Sequence, residues 1–237
     1  MIFHFLTPFP KIIDTIINES ILGKAISNEY IDYHIYNLFE FTDSSNMRLD
    51  DYPFGGGSGM VMKPEPVFKA FNFANQQFNF DSNTRVIFPT PDGKQLTQEL
   101  SSKLVNCDQI LFINGHYKGI DQRIRDNIVT DEISIGDYVL TGGELASMVI
   151  VDSIVRLIPG VLNNIESANS DSFSNPLLDG PHYTRPENFN GMKVPNILLS
   201  GHHRKIDNWI KDQREKKTID RRPDLWEKYI RFRKKME

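Results

Sequence analysis

The feature that most constrains this fold is the stretch 133–162, in which a glycine-rich apolar loop runs directly into an apolar helix. Its first half places Gly136, Gly142 and Gly143 among apolar residues, and glycine lets a main chain turn sharply or approach a ligand closely. Its second half, from Leu145, carries apolar residues on more than one helical face, which predicts a buried helix that ends at the Pro-Gly pair behind it. Ordinary turn glycines before a core helix would produce the same pattern.

Apolar runs typical of strands begin at Ile2, Ile31, Thr84, Gln109 and Glu132, with helical spacing between them. Strands that alternate with helices predict an α/β fold with a mainly parallel sheet. Ligands of such sheets bind beyond the carboxyl ends of the strands.

Three strand ends are followed by residues typical of turns, and each predicts a loop at that edge. The three loops are 88–91, 115–119 and 134–143. The first strand is expected to end at Phe88, where the loop 88–91 begins. We expect all three to surround one site. The glycines of 55–59 could cradle a phosphate, but neither a nucleoside-triphosphatase loop nor a dinucleotide fingerprint is present.

Length and composition indicate a soluble globular protein, since 39% of the 237 residues are hydrophobic and 24% are charged. The single cysteine, Cys107, excludes an internal disulfide and makes a cysteine-based metal cluster implausible. We find neither a signal peptide nor the run of about 20 apolar residues that a membrane span needs. The expected location is cytoplasmic, with no membrane partner.

Charge is distributed unevenly along the chain. Residues 201–237 carry 13 Lys and Arg against 7 Asp and Glu, a balance of +6, although the whole chain is at −4. A basic C-terminal segment on an otherwise acidic chain is typical of proteins that bind a polyanion. A solvated helical face would produce the same charge distribution. We predict a domain over 1–161, a linker over 162–175 and a small helical domain over 176–237.

Several motifs together are similar to those of the bacterial tRNA (guanine-N1)-methyltransferases, in the trefoil-knotted (SPOUT) class of methyltransferases. The longest is S-I-G-D-Y-V-L-T-G-G-E-L from Ser134, and the others are G-G-G-S-G-M from Gly55, G-H-Y-K-G-I-D-Q-R from Gly115, D-S-F from Asp171, P-H-Y-T-R-P from Pro181 and S-G-H-H from Ser200. They cover nearly the whole chain in order. The resemblance implies a knotted α/β domain, a C-terminal helical domain that binds tRNA, and methylation of guanosine 37 beside the anticodon.

The resemblance also implies that the three loops hold S-adenosylmethionine, the methyl donor. The residues implied to bind it are Phe88, Pro89, Thr90, Pro91, Gly115, Tyr117, Gly119, Ser134, Ile135, Gly136, Tyr138, Leu140, Gly142 and Gly143.

Methylation of guanine at N1 needs a base for the N1 proton and a cation for the charge that builds on O6. Asp171 and Arg156 match the family's catalytic pair for these roles. Taken alone, Arg156 could lie on an exposed stripe paired with Asp152, and Asp171 could be an ordinary turn or cap residue.

In the resembled family the site lies at a homodimer interface, so Asp171 would act across that interface. The residues implied to contact tRNA are Gly56, Gly57, His182, Tyr183, Ser200, His202 and His203. Caps and turns explain those in 182–203 equally well, and the adjacent histidines make a poor metal pair.

Lys118 stands where the family has glutamate, so a charge is reversed beside the cofactor loop. A lysine cannot ligate a cation, which puts Mg²⁺ dependence in doubt, and no metal ligand is predicted. Two other functions remain open: a non-catalytic RNA-binding protein, which Lys118 favours, and a knotted methyltransferase that acts on another RNA atom or on ribose.

Overall fold

The computed structural model describes residues 1–43, 47–162, 171–173 and 175–234. The chain divides into two compact units, Met1–Asn163 and Asn164–Glu237. Of the predicted linker 162–175, residues 163–170 and 174 lie outside the described part.

The first unit is built on a five-stranded sheet in which every neighbouring pair is parallel, as the alternation of strands and helices predicts. In spatial order the strands are β2 (Asp32–Asn37), β1 (Ile2–Thr7), β6 (Gln109–Ile113), β5 (Arg85–Gln95) and β7 (Asp131–Ser134). A short antiparallel ribbon, β3 (Asp50–Asp51) with β4 (Val61–Met62), lies outside this sheet.

Helices cover both faces of the sheet because successive side chains of a buried strand point to opposite sides. On β6, Ile110 and Phe112 belong to one core cluster, and Leu111 and Ile113 belong to the other. The helices are α1 (Pro10–Ile17), α2 (Ser20–Ser27), α3 (Pro64–Phe78), α4 (Gln98–Leu104), α5 (Gln122–Asn127) and α6 (Glu144–Val155). The sequence patterns did not indicate α2 or the ribbon.

The predicted end of the strand at Phe88 is wrong, because β5 continues to Gln95 through a large bulge. Pro89 and Lys94 both pair with Ile133 of β7, so the residues between them loop out of the ladder. Gly93 makes the return possible, since a side chain there would lie 2.6 Å from the main-chain carbon of Glu132. The turn residues of this segment therefore form a bulge inside one strand.

Helix α6 differs from its prediction in two respects. It ends at Val155, before the Pro-Gly pair, because the N–H groups of Leu157 and Ile158 donate to carbonyls three residues back and tighten the last turn. Leu145 and Val149 are 53% and 48% exposed, so one apolar face of this helix is open in the single chain.

The second unit contains a two-stranded ribbon, β8 (Asn188–Phe189) with β9 (Met192–Lys193), and two helices, α7 (His203–Arg221) and α8 (Pro223–Arg233). Helix α7 holds the segment before the ribbon through hydrogen bonds. The Leu178 N–H donates to Thr218 Oγ1 at 2.9 Å, and Arg214 Nε donates to the Leu178 carbonyl at 3.1 Å.

His4, on the interior strand β1, is fully buried and gives the fold a pH dependence. Burial lowers the pKa of His4 to about 4. Its ring contacts Gln109 and Tyr36. The hydrogen bond to Gln109 and the nearby Asp32 raise the pKa in part, whereas His34 lowers it further.

The unfolded chain binds a proton at His4 near the ordinary histidine pKa of about 6.5, whereas the folded chain binds it only near pH 4. We therefore expect stability to fall by roughly 3 kcal/mol as the pH drops from 6.5 to 4. Urea unfolding at a series of pH values measures this, and His4→Gln should flatten the slope. An equal slope in that variant would contradict the assignment.

Candidate active site

A cavity of about 310 Å³ lies at the carboxyl edge of the sheet, where β5, β6 and β7 deliver their loops. All the residues that the resemblance assigns to the cofactor line it, together with His116, Lys118, Ile133, Val139, Thr141 and Ala146. The structure thus brings 88–91, 115–119 and 134–143 together around one cavity. Most of this lining is main chain, glycine and apolar side chain.

Two of the loops approach each other closely because glycines stand at the contact. The Gly143 N–H donates to the Gly115 carbonyl at 2.9 Å, and a side-chain carbon on Gly143 would lie 3.0 Å from Asn114 Cα. On Gly115 the same carbon would lie 2.9 Å from the ring of Phe88. These positions must stay without side chains for the cavity walls to meet.

Glu144, the first residue of α6, is only 2% exposed and is held in a buried polar cluster. The Thr7 hydroxyl donates to Glu144 Oε1 at 2.6 Å, and His116 Nε2 lies 2.8 Å from Glu144 Oε2. We call Thr7, His116 and Glu144 the Glu144 cluster. It joins strand β1, the loop after β6 and the start of α6 at the cavity wall, which His116 itself lines.

The Glu144 cluster explains why residue 142 is glycine. A side-chain carbon at Gly142 would collide with the His116 ring and would lie 2.6 Å from Glu144 Oε2. A sequence signal for this cluster is the glutamate that opens a largely apolar helix directly after two glycines.

A second buried hydrogen-bond chain fixes the same junction. Asn114 is fully buried at the end of β6, where its amide nitrogen donates to the Leu6 carbonyl at 3.1 Å. Ser147, on α6, donates to Asn114 Oδ1 at 2.6 Å. The two chains of bonds hold α6 to the ends of β1 and β6, because buried polar groups are costly unless they are paired.

The glycine loop 55–59 is tied to the cavity wall through the residues that directly follow it. The Lys118 N–H donates to the Met60 carbonyl at 2.9 Å, and the Met62 N–H donates to the Gly119 carbonyl at 3.0 Å. Gly56 and Gly57 have φ values of 77° and 119° and are exposed. Lys118 itself is exposed and is one of the residues that line the cavity.

Arg156 is the C-cap residue of α6 and is half-buried. Its main-chain N–H donates to the Asp152 carbonyl at 3.3 Å. Placement at the end of α6 puts Arg156 on the same helix whose first residue supports the cavity.

Asp171 lies in the second unit, in a short segment that contacts other residues of that unit. The neighbouring Ser172 hydroxyl accepts the Asp179 N–H at 2.9 Å, and the Arg222 guanidinium stands 6.0 Å from the centre of the Phe173 ring. Asp171 is half-buried.

The remaining predicted substrate residues also lie in the second unit. His182 Nε2 is 2.7 Å from Asp179 Oδ2, and Tyr183 is exposed. Ser200, His202 and His203 lie exposed at the start of α7, where the Ser200 hydroxyl accepts the His202 N–H at 3.3 Å. His202 is the N-cap of α7 and makes no side-chain cap hydrogen bond.

With this geometry described, comparison with known proteins gives one family. The family model described as tRNA (Guanine-1)-methyltransferase TrmD matches residues 1–228. The chain belongs to this family.

Relatives of this methyltransferase family match over nearly their full length, and each is named tRNA (guanine-N(1)-)-methyltransferase. The protein of Clostridioides difficile strain 630 is 49% identical over 228 residues, which cover 96% of this chain and 98% of that relative. The protein of Staphylococcus carnosus strain TM300 is 51% identical, over 95% of this chain and 90% of that relative. The resemblance stated from the motifs is confirmed.

The described residues contain neither a metal-binding cluster nor a membrane-spanning helix. Within them, no group of three or more His, Cys, Asp or Glu side chains is arranged to hold a metal ion. In the same part of the chain, no helix is long and apolar enough to span a membrane.

Proposed function

We propose that this methyltransferase transfers a methyl group from S-adenosylmethionine to N1 of guanosine 37 in tRNA. The observation that carries the proposal is the cavity at the carboxyl edge of the sheet, in a chain of the TrmD family. The relatives' names supply the tRNA, the guanine and the N1 atom. Position 37 comes from the family resemblance.

The cavity suits S-adenosylmethionine in size and in lining. Its volume of about 310 Å³ is at the lower end of the range of roughly 300–1,000 Å³ that small-molecule sites occupy. Main-chain groups of the glycine-rich loops can bond the polar parts of the donor, while Phe88, Ile133 and Leu140 offer apolar contact. The donor is a sulfonium whose leaving group is already activated, so the methyl transfer itself requires no metal.

Asp171 and Arg156 supply the two groups that the acceptor needs. Neutral guanine carries a proton on N1, which the Asp171 carboxylate removes as general base. Negative charge then builds on O6, and the Arg156 guanidinium stabilises it there. The match of the chain to the TrmD family supports both assignments.

A homodimer is supported by an apolar surface beside the cavity. Tyr138 and Val139, on the loop, and Leu145 and Val149, on α6, are all about half exposed or more in the single chain. A second copy would cover this surface, since contiguous exposed apolar residues mark interaction sites. In that dimer the Asp171 segment of one subunit serves the donor held by its partner, and the loop 134–143 forms the trefoil knot.

Recognition of tRNA is assigned to exposed residues in both units. Gly56 and Gly57 belong to the loop tied to the cavity wall. His182 and Tyr183, with Ser200, His202 and His203, lie on the second unit, whose last 37 residues carry the balance of +6. Basic residues gain affinity for phosphates by releasing counterions. The enzyme acts in the cytoplasm, where tRNA is modified.

The test is methyl transfer from labelled S-adenosylmethionine to a tRNA with G at positions 36 and 37, with the product nucleoside identified by mass spectrometry. We expect 1-methylguanosine at position 37 and none when that base is replaced. Donor binding without methylation of any tRNA would instead favour the non-catalytic RNA-binding protein. Running the reaction with and without Mg²⁺ shows whether Lys118 has removed a need for the ion.

A further inference from the structure

Arg125, on α5, lies outside the cavity lining yet contacts both strands that form one of its walls. Its Nε and Nη2 donate to the two carboxylate oxygens of Glu132, on β7, each at 2.6 Å. Nη2 also donates to Asp92 Oδ2 at 2.7 Å, in the bulge of β5. One guanidinium therefore spans β5 and β7 across their irregular pairing.

Both carboxylates belong to segments that line the cavity. Asp92 follows Thr90 and Pro91, and its carboxylate accepts a hydrogen bond from the Thr90 hydroxyl. Glu132 directly precedes Ile133. The Arg125 guanidinium carbon also stands 5.5 Å from the centre of the Phe88 ring, which forms part of the same wall.

The Arg125 contacts are stronger than those of an ordinary surface ion pair. The side chain is only 20% exposed, and the fork to Glu132 is bidentate, a geometry that adds both strength and direction. Glu132 first, and Asp92 with it, raise the pKa of Arg125. The hydrogen bonds from Thr90 and then Arg125 lower the pKa of Asp92.

We propose that Arg125 is a positioning residue for the methyl donor, which holds the β5 bulge against β7 so that Phe88 and Thr90 keep the shape of the cavity wall. The need for such a residue follows from the ladder. Between Pro89 and Lys94, β5 makes no pairs with β7, so main-chain bonds do not fix the bulge there. The proposal rests on the proposed function only in taking this cavity as the donor site.

The chain offers a matched control on the same two strands. Arg85 of β5 pairs with Asp131 of β7 at 3.6 Å, at the opposite end of the strands from the cavity. Arg85→Gln removes a cross-strand ion pair of β5 and β7 without touching the bulge. If any ion pair between β5 and β7 supported donor binding, both substitutions would weaken that binding equally.

The experiment measures the donor's dissociation constant by calorimetry on the full chain, without RNA, and then its steady-state kinetics with tRNA. We expect Arg125→Gln to bind S-adenosylmethionine about tenfold more weakly. Its kcat at saturating donor should stay within about twofold, because the groups that react are untouched. Arg125→Lys and Asp92→Asn should weaken donor binding by intermediate factors, and Arg85→Gln by less than about twofold.

Thermal melting shows which variants are folded at the assay temperature, and donor affinity is compared only among those. If Arg125→Gln is unfolded at the assay temperature, the folded Arg125→Lys and Asp92→Asn proteins take its place. Unchanged donor affinity in the folded variants would overturn the proposal, as would equal weakening in Arg85→Gln. Wild-type protein that binds the donor but methylates no tRNA would refute the proposed activity and leave this inference intact.

Discussion

Replacing Asp171 with alanine is expected to slow methyl transfer to tRNA by a factor of about 10² to 10⁴ while leaving donor affinity unchanged. The size is what a positioned general base contributes, since without it the N1 proton has no acceptor. Asp171→Asn should lose as much, because an amide of the same shape cannot take up the proton. Single-turnover rates with saturating donor measure the effect, and calorimetry checks that the donor still binds.

Asp126→Ala is a suitable control for the Asp171 variants. Asp126 is exposed on α5, and its carboxylate accepts a hydrogen bond from Gln122 one turn earlier at 2.8 Å. We expect its rate to match that of the wild type. If Asp171→Ala methylated tRNA at the wild-type rate, the base would have to be sought elsewhere.

Mixing two inactive variants tests whether Asp171 acts across a dimer. In a mixed dimer of Asp171→Ala and Arg156→Ala chains, one site would combine the intact Arg156 of one subunit with the intact Asp171 of the other. Random pairing then restores about a quarter of the wild-type sites. Activity that stays at the level of the separate variants would show that both groups come from one chain.

The sequence predicted the features that neighbouring residues determine better than those that depend on contacts between residues far apart in the chain. Strand β6 was predicted with its observed limits, because four consecutive apolar residues between polar and turn residues leave little choice. The convergence of three loops at one edge followed from the parallel sheet alone. The family motifs assigned their residues to a cofactor before any geometry was available.

Features that depend on pairing between distant residues could not be predicted from local sequence patterns. The bulge of β5 arises because Lys94 returns to pair with Ile133, and the Pro-Thr-Pro-Asp-Gly segment reads locally as a turn. The link from Thr7 to Glu144 spans 137 positions, so no local pattern could indicate it. The early end of α6 depended on a tightened last turn, where sequence signals are least reliable.

Glu144→Ala is expected to destabilise the first unit by roughly 2–4 kcal/mol, because it leaves two buried polar groups without their hydrogen-bond partner. The truncation would leave the Thr7 hydroxyl without its acceptor at 2.6 Å and His116 without its partner at 2.8 Å, behind the wall of the cavity. Urea unfolding monitored by circular dichroism measures the loss. Donor affinity should fall with it, because His116 and Gly142 line the cavity and depend on the same cluster.

The matched control is Glu99→Ala, which removes another glutamate from the first turn of a helix. Glu99 is exposed on α4 and pairs with Lys103 at 2.7 Å, so its loss should leave the stability close to that of the wild type. Glu144→Gln separates shape from charge: the amide fills the same space and can still accept from Thr7, so we expect an intermediate loss. If Glu144→Ala were no less stable than Glu99→Ala, the Glu144 cluster would not be what joins α6 to the ends of β1 and β6.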